Sequence, residues 1–245
     1  MTLKGDVHAS QLGLTAGVRR LAVLLLALAL AAVTLAAVAL AADADPQKRF
    51  TAADKAKAGS MIPRASDFPA GWRRKALTPN DASDFSCPGY NPKQSDLVLT
   101  GEAMAEFTGP QGLPSVSSVA NVYRTRREAG LAWARSVTPA LIPCAARMFE
   151  QETEKRGVEV TVTRKGTFAF PSYSPRSVAY RIALTMSAAQ SGTTQSVPFT
   201  IHMIALGHGR GDVLLMTVGV GSGVPIADLR VLAKRTAQRV GASRL

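Results

Sequence analysis

Residues 195–220 read QSVPFTIHMIALGHGRGDVLLMTVGV, and this stretch decides the fold class. Two apolar stretches, Gln195–Leu206 and Val213–Val220, flank the polar sequence Gly207–Asp212. A short glycine-rich connection between two strand-like stretches predicts a β-hairpin. The second half of the chain is therefore expected to build an antiparallel sheet.

Further strands and a closing helix are expected around this hairpin. Val158–Arg164 alternates valine with polar residues, which is typical of a half-buried strand, and Thr167–Phe170 and Ser177–Ala188 continue the pattern. Pro225 suits the first position of a helix. The apolar residues that follow it have helical spacing: Ile226, Leu229, Ala233, Ala237 and Val240.

The first half of the chain mixes short strands with two helices. Leu97–Thr100, Ala103–Phe107 and Val116–Tyr123 have strand composition. Thr125 and Glu128 form a capping box that starts a short helix. A second helix is expected from Pro143 to Lys155, ending at Gly157. The fold class is therefore α+β, with helices packed on a curved antiparallel sheet.

An N-terminal transmembrane or signal helix precedes this domain. Leu21–Ala42 holds 22 residues without a charge, follows Arg19 and Arg20, and would span roughly 33 Å as a helix. Its length favours a retained anchor, whereas small-x-small sites such as Ala42-Asp43-Ala44 suit signal cleavage. The protein is thus expected in the cell membrane as a single-pass chain with its C-terminal domain outside, or secreted after cleavage.

The chain is expected to divide into four segments. Residues 1–20 form a cytoplasmic or signal n-region and 21–42 the transmembrane or signal helix. Residues 43–60 are polar and predict a stalk linker, and 61–245 form the extracytoplasmic domain. Phe68 and Trp72, in a loop rich in proline and glycine, are expected to be packing anchors.

Cys87 and Cys144 are the two cysteines of the chain. Neither lies in a spacing typical of zinc sites. Outside the membrane, an even cysteine count favours one structural disulfide, with two unrelated buried thiols as the alternative.

The sequence predicts no catalytic site, no metal site and no cofactor. His202 lies within a predicted strand, on the face with Thr200, Ile204 and Leu206, which is typical of a structural histidine. His208 lies in the hairpin turn, and no G-x-S-x-G or H-E-x-x-H motif occurs. The stretch Gly207–Gly211 leads into a strand, so it predicts a turn rather than a phosphate-binding loop. An integrin-type role for Arg210-Gly211-Asp212 is disfavoured, because such tripeptides are common in turns.

Positive charge is the main compositional bias. The chain carries 29 Lys and Arg against 17 Asp and Glu, for a net charge of +12. Such an excess favours anionic partners, although a solvated basic surface is the plainer interpretation. The best anion-facing candidate is the patch Arg124, Arg126, Arg127 and Arg135. Few aromatic residues lie among these arginines, so specific nucleic-acid binding is not expected.

The order of these motifs resembles a known type of domain. A membrane segment precedes the loop Ala65–Trp72 (ASDFPAGW), which is followed by Cys87, by Val119–Tyr123 running into the helix Arg127–Ala132, and by Cys144. This arrangement resembles actinobacterial extracytoplasmic sensor-like domains, similar to the extracellular domain of receptor Ser/Thr kinases. The resemblance implies a disulfide-stabilised α+β domain with a ligand-binding cleft.

Three functions follow from the sequence. The first is a non-catalytic extracytoplasmic ligand-binding or sensor-like domain for an unknown small ligand. The second is a structural or interaction protein of the envelope that binds anionic polymers or lipid headgroups. The third is a hydrolase with an unrecognised site. An apolar pocket would favour the first, a flat cationic face the second, and a serine or carboxylate bonded to His202 the third.

Overall fold

The hairpin predicted from residues 195–220 lies at the centre of the sheet. The computed structural model describes residues 46–78, 87–155, 157–190 and 193–243. Strands β7 (Thr193–His208) and β8 (Gly211–Val220) pair antiparallel, from Phe199 opposite Val220 to His208 opposite Gly211. The turn between them comprises Gly209 and Arg210, so this stretch is a hairpin turn, as predicted.

Eight strands of the described residues form one open, curved sheet. Besides β7 and β8, its strands are β1 Gln47–Lys48, β2 Arg73–Leu77, β3 Val98–Thr108, β4 Ser115–Tyr123, β5 Glu159–Thr167 and β6 Arg176–Gln190. The sheet order is β1-β3-β4-β8-β7-β6-β5, with β2 pairing separately with β3. All pairs are antiparallel except β1 and β3, which run parallel.

Helices cover both faces of this sheet. Helices α2 (Arg126–Ser136) and α3 (Leu141–Glu154) pack on one face, which we call the α2/α3 face. Helices α1 (Ala52–Met61) and α4 (Ile226–Ala242) pack on the other, the α1/α4 face. Burial on both sides explains why the central strands are apolar runs rather than alternating sequences.

The predicted mixed α+β class is confirmed, and several boundaries differ. Helix α2 begins after Thr125, whose hydroxyl accepts a hydrogen bond from the amide of Glu128 at 3.1 Å, but the Glu128 carboxylate binds Arg124 instead of completing the capping box. Helix α3 begins at Leu141, so Pro143 lies in its first turn, where a missing amide costs little. The strand predicted over Thr167–Phe170 does not form, because β5 ends at Thr167.

The segment predicted as a stalk, residues 43–60, belongs to the fold from Pro46 onwards. Strand β1 pairs with β3, and Thr51 caps α1 by accepting from the amide of Asp54 at 3.1 Å. Ala58 and Met61 of α1 are fully buried against the sheet. The polar composition that predicted a stalk reflects the exposed side of an amphipathic helix.

No helix among the described residues is both long and apolar enough to cross a bilayer. The predicted membrane segment Leu21–Ala42, the n-region 1–20 and residues 43–45 lie outside the described ranges.

Candidate ligand cavity

An apolar cavity of about 310 Å³ lies on the α1/α4 face, between the loop after α1 and the first turns of α4. Val116, at the start of β4, is buried beneath it, and Val231 is 50% exposed on α4. The cavity therefore reaches from the sheet to the solvent. Its lining comprises Asp67, Phe68, Pro69, Trp72, Pro114, Val116, Val224, Pro225, Asp228, Val231 and Leu232.

Stacked aromatic rings fix the loop that forms one wall. The Phe68 ring stacks on Trp72 at 4.8 Å and on Phe107 of β3 at 4.4 Å, measured between ring centroids. Gly71 adopts a φ of +88°, a conformation that glycine tolerates without steric cost. Sequence reasoning identified Phe68 and Trp72 as packing anchors, and the structure adds that both line a cavity.

Asp67 joins this wall to α4. Its carboxylate accepts hydrogen bonds from the backbone amide of Arg64 at 2.7 Å and from Arg239 at 2.7 Å, while Arg235 lies at 3.6 Å. Burial favours the neutral form of Asp67, but the bonds from Arg239 and Arg64 and the two arginine charges outweigh it and hold its pKa below the usual value. Asp67 is therefore an ionised structural residue whose charge is already balanced.

Asp228 is the other acidic residue of the lining. It is exposed in the first turn of α4, where a negative charge interacts favourably with the helix dipole. The cavity thus offers an apolar interior and one solvent-facing carboxylate. Its volume lies at the lower end of the usual range for small-molecule sites, which is about 300–1,000 Å³.

A second, much smaller cavity of about 30 Å³ lies under α2 on the α2/α3 face. Asn121, Ser136 and Asp212 provide polar atoms in its lining, beside Trp133. A space of this size accommodates a single water molecule. It is therefore too small for a ligand.

A half-buried ion pair adjoins this small cavity. Arg176 donates to Asp212 at 2.8 Å, and its guanidinium carbon lies 5.9 Å from the centroid of the Trp133 ring. Burial raises the pKa of Asp212 to about 6, against the opposing effect of Arg176. Arg176 also donates to the carbonyls of Gly209 and Gly211, so the pair holds the β7–β8 hairpin.

His202 is buried on the α1/α4 face, as the alternation of β7 predicts. It is 1% exposed, its ring centroid lies 5.3 Å from that of Phe168, and its Nδ1 has no hydrogen-bond partner among the described residues. Burial lowers the pKa of His202 to about 4, with a smaller effect from the Arg181 charge. His202 is therefore neutral at physiological pH.

The other polar residues of the hairpin are committed to the fold. Arg210 donates to both carboxylate oxygens of Asp54, at 3.0 and 3.3 Å. Asp212 holds Arg176, as described above. Both charged side chains of the Arg210-Gly211-Asp212 tripeptide thus have internal partners. His208 ends β7, next to the turn.

Two of the four arginines in the predicted anion-facing patch form ion pairs with carboxylates, and the other two form none with a described residue. Arg124 is bound to Glu128, and Arg135 donates to both oxygens of Asp96 at 2.5 and 3.0 Å. Arg126 and Arg127, the first two residues of α2, are exposed and have no ion-pair partner among the described residues. Two of the four side chains therefore remain available to an external anion.

Cys87 and Cys144 are bonded to each other, with Cα atoms 5.7 Å apart. The predicted pairing is confirmed. The bridge joins the segment before β3 to the first turn of α3 and lies beside the core of the α2/α3 face.

No group of three or more His, Cys, Asp or Glu side chains within the described ranges is placed to hold a metal ion. Comparisons with family models, with curated proteins and with solved structures found no match.

Sequence reasoning missed the cavity because its two walls come from residues 67–72 and 224–232, which no sequence pattern connects. It also missed α1, for which a signal existed. Thr51 and Asp54 have the same spacing as Thr125 and Glu128, which correctly located α2.

Proposed function

We propose that this chain is a non-catalytic, extracytoplasmic ligand-binding domain of the sensor-like kind, either membrane-anchored or secreted. The observation that carries this proposal is the cavity of about 310 Å³ with a mainly apolar lining. An apolar interior with few polar groups at its edge is the usual form of a small-molecule site.

The lining selects the ligand class. Asp67 is already balanced by Arg235 and Arg239, so the interior has no uncompensated charge from this residue to attract an ion. Nine of the eleven lining residues are apolar. The ligand is therefore a small, mainly apolar molecule, whose polar group would face Asp228 and the solvent.

The size of the ligand follows from the volume of the cavity. A cavity of about 150 Å³ binds benzene. Roughly twice that volume accommodates a bicyclic aromatic group or a short acyl chain. Trp72 and Phe68 provide flat surfaces on which an aromatic group would stack.

Fluorescence of Trp72 tests the proposal. The chain has two tryptophans, so Trp133→Phe leaves Trp72 as the sole emitter. Titration with N-phenyl-1-naphthylamine should quench Trp72 and increase the probe emission with saturation at one probe per chain. Competition by alkyl carboxylates, alkyl amines and alkyl alcohols would then identify the preferred polar group.

A pair of matched variants assigns the binding to the cavity. Val231 lines it and Val220 does not, and both are 50% exposed. Val231→Phe should weaken probe binding at least about tenfold by occupying the cavity, which corresponds to about 1.4 kcal/mol, while Val220→Phe should leave it unchanged. A non-saturable signal, or equal effects of both variants, would contradict the proposal.

A further inference from the structure

The described fold begins close to the predicted membrane segment. Leu21–Ala42 is expected in the bilayer, and Pro46 is the first described residue. Four Cα steps separate Ala42 from Pro46, and each spans at most about 3.6 Å. Pro46 therefore lies within roughly 14 Å of the end of the predicted membrane segment. Strand β1 and helix α1 follow Pro46 directly and take the place of the predicted stalk.

One end of the sheet surrounds this entry point. The amide of Arg49 donates to Leu99, at the start of β3, at 2.9 Å, and the amide of Arg124 donates to the carbonyl of Val98 at 2.9 Å. The amide of Tyr123 donates to Arg210 of the β7–β8 turn at 2.9 Å. The starts of α1, β3 and α2, the end of β4 and the hairpin turn thus lie together.

Apolar packing fixes this arrangement. Phe50, between β1 and α1, packs into a small cluster that includes Leu99, Tyr123 and Ala129. The cluster joins the chain entry directly to the first turn of α2, where Arg126 and Arg127 lie. Both arginines are therefore held near the point from which the chain continues toward the predicted bilayer.

Four unbalanced positive charges lie at this end. Arg49, Lys55, Arg126 and Arg127 are exposed and form no ion pair with a described residue. Lys55 lies 5.0 Å from the centroid of the Phe50 ring. The neighbouring carboxylates already hold other cations: Glu102 with Lys48, Asp54 with Arg210 and Glu128 with Arg124.

We propose that these four residues, Arg49, Lys55, Arg126 and Arg127, form a membrane-facing end that docks on anionic lipid headgroups. Charges this close to a bilayer lie within about a Debye length or two of its surface. Each lysine or arginine near an anionic leaflet strengthens association by about fivefold. The same charges would have little effect on a neutral bilayer.

Docking in this orientation leaves the ligand cavity accessible. Val116, which lines the cavity, lies at the start of β4, and Tyr123 lies at its other end, seven residues away. At about 3.4 Å per residue, that separation is roughly 24 Å. The ligand cavity is therefore at the end of β4 away from the bilayer.

Arginine footprinting tests the proposal on the full chain. The protein is reconstituted into nanodiscs of phosphatidylcholine, or of phosphatidylcholine with 30% phosphatidylglycerol, and treated with the uncharged reagent phenylglyoxal. Arg49, Arg126 and Arg127 should react several-fold more slowly in the anionic discs. Arg73 of β2 and Arg230 of α4, both exposed outside the membrane-facing end, should react equally in both.

Charge variants provide the matched control. In anionic discs, Arg126→Gln with Arg127→Gln should restore the reactivity of Arg49, whereas Arg73→Gln with Arg74→Gln should not. These side chains are exposed, so the fold should be unaffected. A thermal unfolding curve for each variant verifies this.

Four results would overturn the proposal. One is equal reactivity of the three arginines in both kinds of disc, and another is protection that includes Arg73 and Arg230 equally. A third is protection by an added soluble polyanion but not by anionic lipid, which would assign the surface to a polymer. Failure of the full chain to insert into discs would remove the membrane that defines this end.

Discussion

Arg210 and Asp54, 156 positions apart, form a two-bonded ion pair with N–O distances of 3.0 and 3.3 Å. The pair connects the turn of the β7–β8 hairpin to the first turn of α1. Asp54 is buried, which favours its neutral form, but contacts with Thr100 and Arg210 and nearby positive charges outweigh this effect and lower its pKa. The pair therefore holds the N-terminal helix on the sheet.

Arg210→Ala should lower the free energy of unfolding by about 2 kcal/mol, because Asp54 loses charged hydrogen bonds in a buried position. Urea denaturation measures this. Arg126→Ala is the control, since Arg126 is exposed and nearby, and its effect should stay within about 0.5 kcal/mol. Equal stability of the two variants would show that the pair does not stabilise the fold.

Gly101→Ala should destabilise the protein by about 3 kcal/mol through overpacking. A Cβ at Gly101 would overlap the backbone carbonyl of Asp54, which belongs to α1 rather than to a flexible side chain. The control is Gly59→Ala on the exposed side of α1, where a Cβ meets nothing within 4 Å. That variant should gain about 0.5–1 kcal/mol from helix propensity. A neutral Gly101→Ala would mean that α1 is not closely packed on β3.

Reduction of the Cys87–Cys144 bridge should lower the free energy of unfolding by up to about 4 kcal/mol. The cysteines are separated by 57 positions, and opening such a loop increases the entropy of the unfolded chain. Denaturation with and without reductant measures the change, and the mass after alkylation reports the thiols. The double variant Cys87→Ser with Cys144→Ser should not respond to reductant. Alkylation of both cysteines in the unreduced, native protein would contradict the pairing.

The stability should fall in acid partly because of His202. Its pKa is about 4 in the fold and about 6.5 when exposed. The unfolded state therefore binds the proton more strongly, so the contribution of His202 is fully present above about pH 6.5 and is lost as the pH falls towards 4. By about pH 4 the free energy of unfolding has lost about 3 kcal/mol through His202.

His202→Leu should flatten this part of the pH profile, measured as the urea midpoint at each pH. Asp212 contributes with the opposite sign, since its pKa is raised to about 6 and its folded form retains a proton between about pH 4 and 6. Asp212→Asn should therefore make the acid-induced loss steeper. An unchanged profile in His202→Leu would show that His202 is not buried as a neutral group.

Local patterns in the sequence located the elements well. Thr125 predicted the start of α2, Gly157 ends the α3 region with a φ of +75°, and the apolar stretches around Gly207–Asp212 predicted the central hairpin. Each of these signals lies within a few residues, so the backbone conformation it favours is readable directly. The pairing of Cys87 with Cys144 was predicted from the even cysteine count together with the expected location outside the membrane.

Features without a local pattern in the sequence could not be predicted. Strand β2 is exposed and carries Arg73, Arg74 and Lys75, so it lacks the apolar alternation that identifies a strand. The anion-facing patch was defined by sequence proximity, yet Arg135 pairs with Asp96, 39 positions away. The membrane-facing end also includes Arg49 and Lys55, which lie in the segment that composition alone assigned to a stalk.

The sequence by itself determined most of the element types, the α+β class, the histidine face and the cysteine bridge, because each depends on short-range backbone preferences, on periodicity or on the cysteine count in its expected location. The tertiary structure decided that helices cover both faces of the sheet and that residues 67–72 meet α4 around a cavity. It also decided which arginines are balanced by carboxylates. These features depend largely on contacts between residues distant in the sequence, such as Asp54 and Arg210, 156 positions apart, whose free energy arises only after the whole sheet has brought them together.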